Sequence, residues 1–179
     1  MSIIGHAGWR SRGYLPHCDN AGLVQHVVFG LHDALPAHVP FESDDQLDEG
    51  HGACLLRDGD CADIVERVLL KADASQYRLV AWCVMPNHVH VVFEQMAGRL
   101  LGRAVQELKS VSAHRINKQL SRKGAVWRRE YFDRYMRDGD HLVQTVRYVE
   151  ANPVKAGLVE NVMDWPFSSG SYSARKLGD

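Results

Sequence analysis

Two histidines at alternate positions, His88 and His90, are the residues best placed for metal chemistry. They follow Pro86-Asn87, a turn signal, and lie in an apolar run that predicts a strand. Because residues two apart on a strand face the same side, both imidazoles should share one face, opposite Val89. Two imidazoles on a rigid strand form half of a metal site. The alternative is a pair of ordinary strand histidines that are hydrogen-bonded to their neighbours.

A tyrosine, Tyr148, is the candidate nucleophile. The pattern after Asp140, a candidate N-cap, predicts a helix to about Ala151. At 100° per residue, Tyr148 lies near the centre of its polar arc. Asn152 is one turn further on, although Pro153 disfavours helical geometry there. The competing interpretation of Tyr148 is a surface tyrosine with a solvated hydroxyl.

Acidic and basic residues are segregated along the chain, although the net charge is only -1. Residues 41–66 contain nine acidic residues and one basic residue, whereas residues 99–137 contain eleven basic and three acidic residues. Such asymmetry indicates a polyanionic partner on one face. The alternative is a basic helix face that is merely solvated.

Hydrophobic periodicity predicts the elements that would position these residues. The predicted strands are Leu23–Gly30, Tyr77–Met85, His88–Glu94 and Glu130–Arg137, and the predicted helices cover 61–73, 99–120 and the tyrosine segment. This order predicts an α+β, ferredoxin-like βαββαβ fold, an antiparallel sheet with helices on one face plus an additional C-terminal helix carrying the tyrosine. We expect one domain over 1–179, with 1–22 irregular and 31–60 a loop or insertion that contains at most a short helix.

Composition and cysteine spacing favour a globular protein without a membrane span or a cysteine-based metal or redox motif. The 179 residues are 45% hydrophobic and 24% charged, which is typical of a globular chain with a real core. No apolar run approaches ~18 residues, so we expect no membrane span. The four cysteines form no C-x-x-C pair, so we expect neither a zinc knuckle nor a redox motif, but free thiols in a reducing cytoplasm.

The combination of two histidines, a tyrosine and basic segments indicates DNA strand transfer. A tyrosine with an ordinary pKa near ~10 attacks poorly alone. A divalent ion held by His88 and His90 would neutralise charge on a scissile phosphate, and Tyr148 would attack phosphorus in line. The products would be a 5′-phosphotyrosine and a free 3′-hydroxyl.

The sequence resembles the REP-associated tyrosine transposases, relatives of the single-tyrosine HUH transposases. The matching blocks are Gly13–His17, Leu31–Asp33, Trp82–His90, Trp127–Arg134, Tyr148–Gly157 and Asp164–Ser169. The resemblance implies His88, His90 and Asn152 as metal ligands and Tyr148 as nucleophile. The implied fold is the ferredoxin-like fold already predicted from the order of elements.

The resemblance also implies a substrate, single-stranded DNA folded as a hairpin from repetitive extragenic palindromic elements in a bacterial cytoplasm or nucleoid. Basic grooves with aromatic residues bind such strands. The predicted DNA-binding residues are Arg10, Arg12, Tyr14, His17, Lys109, Arg115, Lys118, Arg122, Lys123, Trp127, Arg128, Arg129, Arg134 and Lys155. We expect no membrane or small-molecule partner, and either a monomer or a homodimer.

The expected cofactor is Mg²⁺ or Mn²⁺, because phosphoryl and amide oxygens favour hard cations. Two imidazoles would also accept Zn²⁺, Ni²⁺ or Co²⁺ during purification. Two alternatives to the strand transferase remain: a hairpin-binding protein without catalysis, and a metal-dependent nuclease that activates water.

Overall fold

A four-stranded antiparallel sheet forms the centre of the molecule. The computed structural model describes residues 8–11, 16–36, 38–39, 43 and 45–177. The strands are β1 (Gly8–Ser11), β2 (Pro16–Asp19), β3 (Val24–Gly30), β4 (Tyr77–Val84), β5 (His88–Gln95) and β6 (Phe132–Tyr135). In the main sheet the order is β4-β5-β3-β6, and every neighbouring pair is antiparallel.

Helices connect and cover these strands. They are α1 (Asp45–Asp48), α2 (Gly59–Ala72), α3 (Leu101–Gln119), α4 (Gly139–Lys155) and α5 (Ser169–Leu177), with 3₁₀ turns at Leu55–Arg57 and Val162–Asp164. Apart from the four-residue α1, the order from β3 to β6 is βαββαβ, and α4, the helix that carries Tyr148, follows before α5. The predicted α+β, ferredoxin-like arrangement is therefore confirmed, with each strand end within two residues of its predicted position.

The two faces of the sheet carry different layers. On one face, Val89, Val91 and Phe93 of β5 pack with α2 and α3 in the main core. On the other face, the neighbouring strand residues Ala81 and Cys83 pack in a second cluster with α4. The alternation of β5 places its two histidines on the α4 face, as the spacing predicts.

Three expectations about local structure need correction. The segment 1–22, expected to be irregular, contains the antiparallel hairpin β1–β2. Helix α4 is capped by Asp138, whose carboxylate accepts from the His141 N–H at 2.7 Å, and not by Asp140. The helix also continues through Pro153, which is buried, and ends two residues later at Lys155, so the disruption that a proline causes is confined to the last turn.

The cysteines and the hydropathy of the helices complete the description of the fold. All four cysteines are free and buried. Within the described ranges, no helix combines the length and apolar character needed to cross a membrane.

Candidate active site

The two histidines of β5 converge on one point. Both are fully buried, and the Nε2 atoms of His88 and His90 lie 2.9 Å apart. Two ligands bonded to one ion at about 2.1 Å and at right angles are about 3.0 Å apart. The two imidazoles therefore have the spacing of neighbouring ligands of a single metal ion.

Asn87 orients the first of these rings. The Asn87 Nδ2 donates to the carbonyls of Leu47 at 2.9 Å and His51 at 3.3 Å, which fixes the amide oxygen toward His88 Nδ1 at 2.8 Å. An amide oxygen only accepts, so Nδ1 of His88 carries the proton and Nε2 presents its lone pair. Burial, followed by the charges of His26 and Lys155, lowers the pKa of His88 to about 3, which keeps the ring neutral.

His26 of β3 performs the corresponding role for the second ring. Its Nε2 lies 3.0 Å from Nδ1 of His90, and the two rings stack with centroids 5.3 Å apart. In the tautomer in which His90 Nδ1 donates to His26, the His90 Nε2 lone pair faces His88, as metal binding requires. Burial, followed by the charges of His88 and His26, also lowers the pKa of His90.

A carboxylate from α1 completes this group. Asp48 Oδ1 lies 3.5 Å from His88 Nε2, and one ligand atom from each of Asp48, His88 and His90 lies within 4.8 Å of the others. Lys155 Nζ donates to Asp48 Oδ2 at 3.1 Å and to Asp45 Oδ1 at 2.7 Å. These hydrogen bonds, chiefly the one to Asp45, raise the pKa of Lys155. The site therefore combines two neutral imidazoles, an anion and a cation.

Tyr148 stands beside the histidines. Its half-buried ring makes edge contacts with His90 and His26, at centroid distances of 5.9 and 6.2 Å, and Lys155 Nζ lies 5.2 Å from its ring centre. A cleft of about 400 Å³ opens there, lined by His26, Ser43, Asp45, Phe132, Arg134, His141, Gln144, Thr145 and Tyr148. The tyrosine thus borders both the histidine group and a space that could admit a substrate.

Asn152, one helical turn beyond Tyr148, is fully buried. Neither of its side-chain amide atoms has a hydrogen-bond partner within the part of the chain that the structure describes. Leaving a buried amide unsatisfied costs about 1–3 kcal/mol. A bound cation on the amide oxygen would offset part of this cost, so the residues present fit a metal ion.

The predicted DNA-binding residues divide into separate groups. Arg134 and Lys155 lie at the Tyr148 cleft or beside it. Arg115 and Lys118, by contrast, belong to α3, which covers the opposite face of the sheet from the histidines. The structure therefore brings two of the predicted basic residues to the tyrosine and leaves the α3 cluster apart from it.

Four more of the predicted DNA-binding residues are Arg122, Lys123, Arg128 and Arg129. Arg122 and Arg128 donate to backbone carbonyls, Arg122 to Ala125 and Arg128 to Leu35 and Val39. Lys123 and Arg129 are exposed.

Lys109 lines a second cleft, of about 550 Å³, between α3 and residues 124–131. Its Nζ donates to the Arg129 carbonyl at 2.9 Å. Burial lowers the pKa of Lys109 to about 8.

Trp127, a predicted DNA-binding residue, is largely buried. Its Nε1–H donates to Ser112 Oγ at 2.9 Å, and its ring packs edge-on against Phe29 with centroids 5.0 Å apart. Because the residue also lines the second cleft, its contact with DNA stays a prediction. Arg12 and Tyr14 lie outside the described residues, as do the side chains of Arg10 and His17.

Sequence reasoning missed His26, Asn87 as an orienting residue, and Asp48. His26 had a weak signal, a polar position within an apolar strand. Its contact with His90 depends on β3 lying beside β5, which no local pattern specifies. Asp48 is one of nine acidic residues in its segment, and only the tertiary structure distinguishes it.

Comparisons with known proteins agree with this arrangement. The family model for IS200-like transposases matches residues 56–152. The REP-associated tyrosine transposase of Escherichia coli K12 is 28% identical over 94 residues, which cover 52% of this chain and 54% of that protein. A Haemophilus influenzae protein assigned to the same class is 30% identical over 103 residues, which cover 52% of this chain and 58% of its own. The chain therefore spans little more than half the length of these curated relatives.

The fold has a solved counterpart. A REP-associated tyrosine transposase bound to a REP hairpin matches with a TM-score of 0.67 and 19% sequence identity, over 93% of this chain and 86% of that chain. The two proteins share a fold.

Proposed function

The chain belongs to the IS200-like transposase family, and we propose that it is a metal-dependent single-stranded DNA endonuclease and strand transferase that acts on hairpins of repetitive extragenic palindromic elements. The observation that carries this proposal is the position of Tyr148, in edge contact with His90 at the mouth of the cleft. A purely structural role for Tyr148 would not account for the two converging imidazoles beside its ring.

Tyr148 would act as the nucleophile. Its phenolic oxygen would attack the scissile phosphorus in line, the P–O3′ bond would break, and the DNA would leave with a free 3′-hydroxyl. The remaining strand would stay attached to Tyr148 as a 5′-phosphotyrosine. Reversal of this exchange on another 3′-hydroxyl joins strands without external energy, because the covalent link conserves the phosphodiester bond.

Three residues would hold the metal ion: His88 and His90 through Nε2, and Asn152 through its amide oxygen. When bound, a divalent ion supplies charge neutralisation at the phosphate. Asn87 and His26 would fix the two imidazoles, so that both lone pairs face one point. Mg²⁺ and Mn²⁺ suit this donor set once a phosphate oxygen joins it.

The DNA backbone would follow the cationic side chains at the site. Arg134 lines the cleft, and Lys155 lies over the Tyr148 ring. Phosphate contacts of this kind give affinity and salt dependence without sequence preference. The hairpin substrate is supported by the relative of the same fold, which binds a REP hairpin.

Covalent trapping tests the proposal. Labelled single-stranded hairpins from repeats beside the gene are incubated with Mn²⁺ and resolved on a denaturing gel. We expect a protein-linked band that is lost in Tyr148→Phe and in His88→Ala/His90→Ala, and retained in Tyr135→Phe, the matched control on β6. Cleavage without a linked band would identify a water-activating nuclease. Tight hairpin binding with neither product would identify a binding protein without catalysis.

A further inference from the structure

We propose that Asp48, from the acidic segment of the chain, is a carboxylate ligand of the metal ion held by His88 and His90. This inference deepens the proposed function, on which it rests. It also gives a role to part of segment 31–60, which the sequence presents as a loop or insertion.

The first support is the convergence of electron-rich atoms. Because Asn87 fixes the proton of His88 on Nδ1, the Nε2 lone pair of a neutral ring faces Asp48 Oδ1 at 3.5 Å and His90 Nε2 at 2.9 Å. A lone pair directed at a carboxylate oxygen is repulsive unless a cation lies between them. Two ligands at about 2.1 Å from one ion are about 3.0 Å apart at 90° and about 3.4 Å apart at 109°, and the 2.9 Å and 3.5 Å separations lie close to these two limits.

The second support is the way in which α1 is anchored. Leu47, next to Asp48, is buried, and its side chain packs where a Cβ on Gly30 would come within 3.2 Å of it. The Leu47 carbonyl accepts from the same Asn87 amide that orients His88. The buried Asn87 side chain therefore positions both His88 and the turn that carries Asp48. This shared contact fixes Asp48 relative to the histidines.

The third support is that the two oxygens of the Asp48 carboxylate face different groups. Its side chain is only 14% exposed, and Oδ2 accepts from Lys155 Nζ at 3.1 Å while Oδ1 faces the histidines. Lys155 thus binds one oxygen, and the other lies on the side of the two imidazoles. The resulting set of two imidazoles and one carboxylate is a known metal-binding combination with open positions, here for Asn152, phosphate or water.

The experiment measures metal binding directly and without DNA. Calorimetric titration with Mn²⁺ compares the unmodified protein with Asp48→Asn and with Asp45→Asn, the matched control. Asp45 lies on the same turn and binds the same lysine, but does not belong to the three-atom ligand group. We expect the Mn²⁺ dissociation constant to rise at least tenfold in Asp48→Asn and less than threefold in Asp45→Asn. His88→Ala should abolish binding.

A spectroscopic readout separates ligation from general electrostatics. The visible absorption of bound Co²⁺ reports its ligands and should change in Asp48→Asn but not in Asp45→Asn. If Asp48→Asn fails to fold, Asp48→Glu keeps the charge and moves the carboxylate by one methylene, and it should change the same spectrum. Equal losses of Mn²⁺ affinity in the two Asn variants, or an unchanged Co²⁺ spectrum, would overturn the assignment.

The outcome is distinguishable from failure of the proposed function. Asp48-dependent Mn²⁺ binding in a protein that forms no DNA adduct would leave the ligand in place and refute the transferase. A Mn²⁺-dependent adduct together with unchanged metal affinity in Asp48→Asn would support the transferase and refute Asp48 as a ligand.

Discussion

Asn87 binds both the His88 ring and the backbone that precedes and follows Asp48. Its replacement by alanine should therefore lower both the stability of the protein and its affinity for metal. The fully buried amide makes three hydrogen bonds, to His88 Nδ1 and to the carbonyls of Leu47 and His51. At a net contribution of about 0.5–1.5 kcal/mol each, the loss of all three should lower the free energy of unfolding by about 1.5–4.5 kcal/mol.

The effect on metal affinity follows from the freedom of the His88 ring. Loss of the partner that orients a metal-binding histidine typically costs about 10–100-fold in affinity. We therefore expect the Mn²⁺ dissociation constant of Asn87→Ala to rise within that range. Asn87→Asp sharpens the test, because a carboxylate still accepts from His88 Nδ1 but cannot donate to the Leu47 and His51 carbonyls.

The assays are urea unfolding of the metal-free protein and calorimetric titration with Mn²⁺. The control is Asn117→Ala, because Asn117 donates one hydrogen bond, to the Gly124 carbonyl at 2.9 Å, on the opposite side of the sheet. That variant should lose about 1 kcal/mol of stability and keep its Mn²⁺ affinity. A folded Asn87→Ala protein that binds Mn²⁺ within twofold of the original would refute the orienting role and leave Asn87 purely structural.

Three further predictions concern neighbouring groups. His26→Phe keeps a ring but removes the acceptor for His90, so the Mn²⁺ dissociation constant should rise about tenfold by calorimetry; an unchanged value would contradict the pairing. Trp127→Phe should lower the free energy of unfolding by about 1–2 kcal/mol through its lost hydrogen bond and core contacts, while hairpin affinity in a filter-binding assay stays constant; reduced affinity at constant fold would restore a stacking role. Because the pKa of folded His88 is about 3 and that of the unfolded residue is about 6.5, the unfolded chain takes up the proton first as pH falls. Stability of the metal-free protein should therefore decrease below pH 6.5, by about 2 kcal/mol at pH 5 from His88 alone, and urea midpoints that do not fall would contradict a buried neutral ring.

The sequence was informative where local periodicity decides the outcome. Alternation along β5 correctly separates His88 and His90 from Val89, and helical spacing correctly places Tyr148 on α4. These features depend on residues only two to four positions apart, and the period of each element determines them.

Contacts between residues that are far apart in the sequence could not be predicted from local periodicity. His26 meets His90 only because β3 lies beside β5 in the sheet, and Asp48 reaches the histidines only because Leu47 is drawn into the core. The burial of Trp127 was missed for a related reason. Its basic neighbours are visible in the sequence, whereas its burial against Phe29 is not.

The distribution of basic residues shows the same limit. Charge counting identifies α3 and the following loop as positive, but it does not say which face of the sheet they cover. Among the described residues, Arg134 and Lys155 are cations beside the tyrosine, and the charge cluster alone would not have distinguished them.

Identification of the residue that becomes linked to DNA shows whether Tyr148 is the nucleophile. The adduct formed with a hairpin and Mn²⁺ would be digested with protease and nuclease, and the peptide carrying a nucleotide would be sequenced by mass spectrometry. We expect a single modified residue, Tyr148. A nucleotide on Tyr131 or Tyr135, or on a residue other than tyrosine, would contradict it.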